Sequence, residues 1–134
     1  MVKEIIKDSE YAQFLERFYN FTDSMIRSIS LNFTSNGTRQ IDVHILTRDS
    51  TTQENEGWVC VVINVDHVSE MAIRDDRNKA SLQVISNGIH ITTIDDNTGF
   101  EFGGALDPPR SLSELRKSYA FALGKTVSFE VLPY

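Results

Sequence analysis

Residues Trp58 to Val65, Trp-Val-Cys-Val-Val-Ile-Asn-Val, are apolar on nearly every position and rich in β-branched side chains. Successive strand residues point to opposite faces, so a strand of this composition has to be covered on both sides. The run predicts a central strand, and it obliges the rest of the chain to supply two covering surfaces. One candidate cover lies upstream. Tyr11, Phe14, Leu15 and Phe18 fall at i, i+3, i+4 and i+7 and share one face of a helix predicted over residues 8–20. Asp8 or Ser9 is suited to cap its start, and Ile5 or Ile6 to fold back onto its first turn.

The remaining segments read as hairpins. Ile29, Leu31 and Phe33 alternate with polar residues, as do Ile41, Val43 and Ile45. A two-residue turn at Asn36-Gly37 would set Leu31 against Asp42 and mix apolar with polar on one face. A three-residue loop, Ser35-Asn36-Gly37, pairs Leu31 with Ile41 and Ile29 with Val43 and gives Gly37 the left-handed position. Residues 47–57 are polar and aperiodic and predict a long, mobile hairpin loop. Val68, Met71 and Ile73 fit either an irregular strand or a short helix, followed by a turn at Asp75-Asp76-Arg77-Asn78-Lys79. Around Asn87-Gly88, a type I′ turn pairs Val84 with Ile91 and Ser86 with Ile89, predicting a second hairpin. Further turns are expected at Asp95–Gly99 and around Gly103-Gly104 and Pro108-Pro109, with Phe100 and Phe102 on a short strand between them. Ser111-Leu112-Ser113-Glu114 has capping-box spacing and starts a short helix to about Lys117. Tyr119, Phe121 and Leu123 alternate on one strand, and 126–132 form a terminal strand that Pro133 ends near a sheet edge. The expected fold class is α+β, mainly β: an antiparallel curved sheet of about six or seven strands, an N-terminal helix packed on it and a short second helix.

At 134 residues the chain fits one domain with a core of its own, and no internal repeat or composition shift marks a second. The formal charge of −6 is spread over both halves. It disfavours nucleic acid as a partner, because phosphate binding needs a basic surface, and allows a basic protein. Cys60 is the single cysteine, which excludes an internal disulfide and suits a reducing, cytoplasmic setting. No stretch approaches the ~18 apolar residues of a membrane span.

Motifs that carry chemistry are sparse. His44, His67 and His90 lack the helical i, i+4 spacing that pre-forms part of a zinc site, and they predict no metal. Cys60 sits among valines, which predicts a buried, inert thiol. Asp95 to Glu101 resembles a fragment of a calcium loop but lacks its twelve-residue spacing, so a plain turn is expected. Gly103-Gly104 belongs to no phosphate-cradling pattern, and Asp75 and Asp76 point apart on an extended chain. No cofactor and no catalytic residue is predicted.

Four segments together resemble the small bacterial immunity proteins of polymorphic-toxin systems, the immunity protein 50 type. They are Phe21-Thr22-Asp23-Ser24-Met25-Ile26-Arg27-Ser28-Ile29, with Thr22 where that family has histidine; the run Trp58–Met71; the stretch around Val84-Ile85-Ser86-Asn87-Gly88-Ile89; and Gly124-Lys125-Thr126-Val127-Ser128-Phe129-Glu130. The resemblance implies a monomeric or dimeric inhibitor that neutralises a toxin by binding it, without catalytic residues. An acidic inhibitor suits a basic toxin, and the charged segment Arg48–Glu56 is the expected docking loop, with Asp49, Glu54 and Glu56 as its contacts. Three other classes compete. A small-molecule-binding domain would show a concave pocket, with Tyr11, Trp58 and Tyr119 as candidate lining. A structural homodimer would pair strand 126–132 across a two-fold axis. An enzyme would place one of the histidines near a carboxylate in a cleft.

Overall fold

In the computed structural model, which describes residues 3–75 and 82–134, the strand at Trp58–Asp66 (β4) occupies the interior of a six-stranded antiparallel sheet. Its neighbours are β3 (Arg39–Arg48) and β10 (Thr126–Pro133). β2 (Ser24–Phe33) and the short β6 (Val84–Ile85) extend the sheet beyond β3, and β1 (Glu4–Ile5) extends it beyond β10. A second antiparallel sheet is ordered β5 (Glu70–Ile73), β9 (Ala120–Gly124), β8 (Asn97–Glu101), β7 (His90–Ile94). Among the described residues two short α-helices accompany the sheets, α1 (Tyr11–Arg17) and α2 (Leu112–Leu115). The class is α+β and mainly β, as expected, with its strands shared between two sheets.

β4 is buried on both faces, as its composition requires. One face, Val59, Val61, Ile63 and Val65, enters the main core. There it meets Phe14, Phe18 and Phe21 from the N-terminal segment and Phe100, Phe102, Ala120 and Ala122 from the second sheet. The expected helix supplies only part of this cover, and the second sheet supplies the rest. Each fully buried Val or Ile side chain on this face contributes roughly 1.5–3 kcal/mol. On the other face Cys60, Val62 and Asn64 are flanked by Leu46, His44 and Asp42 on β3 and by Leu132, Glu130 and Ser128 on β10. Asn64 Nδ2 donates to Asp42 Oδ1 at 2.8 Å, so this buried amide is hydrogen-bonded.

The helix predicted over 8–20 is split. Asp8–Glu10 form a 3₁₀ turn, α1 follows, and the chain then passes through left-handed conformations at Tyr19, Asn20 and Phe21 and again at Asp23. A left-handed non-glycine residue costs roughly 1–2 kcal/mol. The turn swings Phe21 inward, where it is wholly buried, with its ring 5.3 Å from Phe18 and 5.7 Å from Phe14. Phe129 of β10 closes the cluster 4.7 Å from Phe14. At the start, Ile6 is buried while Ile5 is exposed, and Glu10 rather than Asp8 or Ser9 caps the turn, its Oε1 accepting from Lys7 N at 3.0 Å.

The first hairpin has the predicted register: Leu31 faces Ile41, Ile29 faces Val43, and Gly37 takes φ +79° in the three-residue loop. The second predicted hairpin does not form. β6 pairs with β2 in the first sheet, while β7 pairs with β8 in the second. Asn87-Gly88 carries the chain between the sheets, and this linker docks on the left-handed segment, with Ile89 N donating to Asn20 O at 3.1 Å. The two-residue turn with both central φ values positive falls instead at Asp95-Asp96, between Ile94 and its partner Asn97. His90 consequently faces Glu101, not Ile85. Of the ambiguous segment, Glu70–Ile73 form strand β5, and the turn expected at 75–79 lies outside the described residues except for Asp75. Ser111 caps α2 as predicted, accepting from Glu114 N at 3.1 Å, while the Glu114 carboxylate reaches back to Arg110 N. β10 is not an outermost strand, because β1 pairs with it at Ser128 and Phe129.

Gly37 and Gly88 share φ +79° but differ in surroundings. A Cβ at Gly37 meets nothing within 4 Å, whereas one at Gly88 falls 2.5 Å from the Asn20 carbonyl oxygen. Gly37→Ala is expected to cost about 1 kcal/mol, the backbone term alone, and Gly88→Ala about 3 kcal/mol, because the linker must also lift off the left-handed turn. Denaturant unfolding of both variants checks this; equal losses would disprove the close approach.

Candidate functional site

The loop after β3 is organised by one carboxylate. Asp49 is only 4% exposed and accepts from Arg17 Nε at 3.0 Å and Arg17 Nη2 at 2.9 Å, a bidentate pair between the loop and α1. Its Oδ1 also accepts from the Thr51 backbone N–H at 2.9 Å and the Thr51 hydroxyl at 2.7 Å. Burial by itself would raise the Asp49 carboxyl. The hydrogen bonds from Arg17 and Thr51 and the Arg17 charge outweigh it and hold the group below its ordinary value. Arg17 in turn lies over the Phe18 ring, 4.7 Å from its centroid, so the pair is tied to the aromatic core. Asp49 thus points inward and orders the loop, and it is withdrawn from the set of docking contacts. Glu54 and Glu56 are exposed. Asn55 and Glu56 adopt left-handed conformations in the short 3₁₀ turn at Glu54–Gly57, so the segment expected to be mobile has a defined path.

Beside this loop runs an aromatic ridge. The Arg48 guanidinium sits 5.5 Å from the centroid of Tyr19 and 5.9 Å from that of Trp58. Trp58 is 6.0 Å from the exposed Tyr134. A groove of about 440 Å³ is lined by Glu54, Asn55, Trp58, Pro133 and Tyr134, so acidic loop and aromatic ridge form one continuous surface. Arg48, Tyr19 and Tyr134 carry no local pattern that marks them. They meet because β3, the left-handed turn and the end of β10 converge here. Only Trp58, an aromatic at the mouth of an otherwise aliphatic strand, was marked by sequence.

The other candidate groups are dispersed. His44 is on β3 opposite Val62. His67 lies in the β4–β5 turn with its ring against Asp66, and His90 begins β7. Among the described residues no group of three or more His, Cys, Asp or Glu side chains is placed to hold a metal ion. Cys60 is buried, and burial pushes its thiol up against the opposing pull of the Arg27 guanidinium, consistent with an inert sulfur. Tyr11 and Trp58 line different clefts, and Tyr119 precedes β9 in the other sheet, so the three do not form one pocket.

One titratable pair does meet at a cleft. Glu101 is wholly buried on the face of β8 opposite to Phe100 and Phe102. Its Oε2 accepts from Gly103 N at 2.7 Å, Ala105 N at 3.2 Å and Ser118 Oγ at 2.7 Å, while Oε1 has no hydrogen-bond partner. A buried acceptor left unpaired costs roughly 1–3 kcal/mol. Among the described residues, the cationic candidate within 4 Å of it is His90 Nε2, at 3.8 Å. The signal for Glu101 was visible as an acid between two core phenylalanines, but its partner was hidden by the wrong hairpin register.

The Arg17–Asp49 pair makes a sign-definite prediction. A carboxyl held below its unfolded value contributes stability that is complete above the unfolded pKa of about 3.9 and is lost as pH falls through the lower, folded one. Arg17 keeps a third of its side chain in water, which screens the pair. Asp49→Asn is therefore expected to cost about 2 kcal/mol at neutral pH, less than a fully buried pair. Its stability should also fall less than that of the parent between pH 5 and 3 on an order-of-magnitude reading of the linkage. Parallel acid-unfolding curves for the two proteins would refute the assignment. No protein-family model, curated protein or solved structure matches the chain.

Proposed function

We propose that this domain acts by binding a basic protein and covering its working surface, in the manner of an immunity protein that neutralises a toxin. The observation that carries the reading is the ridge of Tyr19, Arg48, Trp58 and Tyr134 beside the exposed carboxylates of Glu54 and Glu56. Tyrosine, tryptophan and arginine are the residues that most often dominate binding energy at interfaces, and charged side chains belong at the rim. Here the aromatic rings are pre-positioned: Trp58 by β4, and Tyr19 by a turn whose backbone is locked into place by Phe21. Pre-positioned rings lose little freedom on binding, which favours affinity. The net charge of −6 draws a basic partner toward the domain, and the two carboxylates set its approach.

The test is affinity capture with tagged protein from the lysate of the source organism, at low and then moderate salt, with variants in parallel. The expected result is one basic protein in stoichiometric amount. Glu54→Lys combined with Glu56→Lys should weaken binding roughly tenfold or more, mainly through the association rate. Tyr134→Ala should act mainly on dissociation, by about 2 kcal/mol. A partner held equally well by all three proteins would remove this surface from consideration.

A further inference from the structure

A cleft of about 830 Å³ lies away from the acidic loop, between α1, the left-handed turn and the segment after Gly104. That size falls within the range that accommodates a small organic molecule. Its apolar walls include Leu15, Ile89 and Leu106, and the half-exposed Tyr19 ring stands at one side. Among the described residues no lysine or arginine lines it, whereas Glu16 does. The lining therefore repels anions and suits a cation or a neutral molecule with an apolar body.

His90 gives the cleft a directional group. Its Nε2 lies 3.0 Å from the Ala105 carbonyl oxygen. A carbonyl only accepts, so Nε2 carries the proton of this hydrogen bond, and in the neutral ring the lone pair is on Nδ1. Nδ1 makes no hydrogen bond among the described residues, and the His90 side chain, 14% exposed, lines the cleft. Behind the ring stands the independent observation: the wholly buried Glu101, with Oε1 unpartnered and 3.8 Å from Nε2. Glu101 is itself held by three donors on its other oxygen, from Gly103, Ala105 and Ser118. A hydrogen bond donated to Nδ1 from the cleft places partial positive charge on the imidazole, and the free carboxylate oxygen balances it. An acceptor facing the cleft, backed by a fixed negative group, is the arrangement that recognises a donor carrying positive charge.

We infer that this cleft binds a small amphipathic amine, its ammonium group donating to His90 Nδ1 and its apolar body lying against Leu15, Ile89 and Leu106. The site is separate from the acidic docking loop and does not depend on it; among the described residues Tyr19 borders both surfaces.

The probes are tyramine and 4-hydroxyphenylacetate, which share a phenol body and differ in the charge of the side chain. They are titrated into the isotopically labelled full chain and followed by NMR. Before any addition, the ring of His90 should show the Nε2–H tautomer. Tyramine should give saturable shifts at Leu15, Ile89 and Leu106 with a dissociation constant of roughly 1 mM or tighter, the scale open to a ligand of this size. The carboxylate should give none. His90→Phe is expected to weaken tyramine about tenfold. Because that change touches a ring packed near Glu101, Leu106→Lys provides a second test on an exposed side chain, with an unchanged unfolding curve and a comparable loss of binding. Absence of saturable shifts with tyramine, equal binding of the two probes, or full binding by Leu106→Lys would each overturn the assignment.

Discussion

Everything else in this structure follows from the need to cover both faces of one strand. β4 is too apolar to stand at an edge or to face water on either side, so it takes the interior of a sheet and recruits two kinds of cover. On the core side the cover is a phenylalanine cluster from α1, the turn after it and β10, joined by the second sheet. On the other side it consists of side chains of the flanking strands. Both sheets are thereby fixed relative to α1, and the surfaces considered for function lie at the seams between these pieces.

The left-handed segment at Tyr19–Phe21 is the clearest case of local strain supported by tertiary contacts. Its backbone is held by Phe21 from within and by the Gly88 linker from without, where only glycine permits the approach to the Asn20 carbonyl. The result serves two surfaces at once. Tyr19 is pushed outward to meet Arg48, and the same residue walls the cleft over His90. A rigid, costly turn at the meeting point of two candidate binding surfaces is a physical reason to place function there, and it is independent of any resemblance.

Much of the fold was legible because periodicity and burial agree. The central strand, the aromatic face of α1, the register of the first hairpin, the Ser111 cap and the alternation of Phe100 with Phe102 all come from patterns spanning a few residues. The second hairpin failed for an instructive reason. Val84 with Ile91 gives a good apolar pairing, but the two strands join separate sheets, where Ile85 and Ile91 are buried and Val84 stays half exposed, and the turn geometry went to Asp95-Asp96. At the candidate sites the pattern is similar. The acidic loop was visible, but charge alone did not separate Asp49, whose neutralising partner Arg17 lies 32 positions away, from the exposed Glu54 and Glu56.

The sequence by itself determined a mainly β domain with one strand buried on both faces, a buried cysteine, a net negative charge and the turn of the first hairpin, because these depend on side-chain volume, parity and charge that neighbouring residues display directly. The tertiary structure alone decided the division into two sheets, the inward commitment of Asp49, the contact of Arg48 with the Tyr19 and Trp58 rings and the meeting of His90 with the unpaired oxygen of Glu101. Those features arise from contacts between segments far apart in the chain. Their geometry is set by which of several equally apolar pairings buries the most surface, and no local pattern encodes that choice.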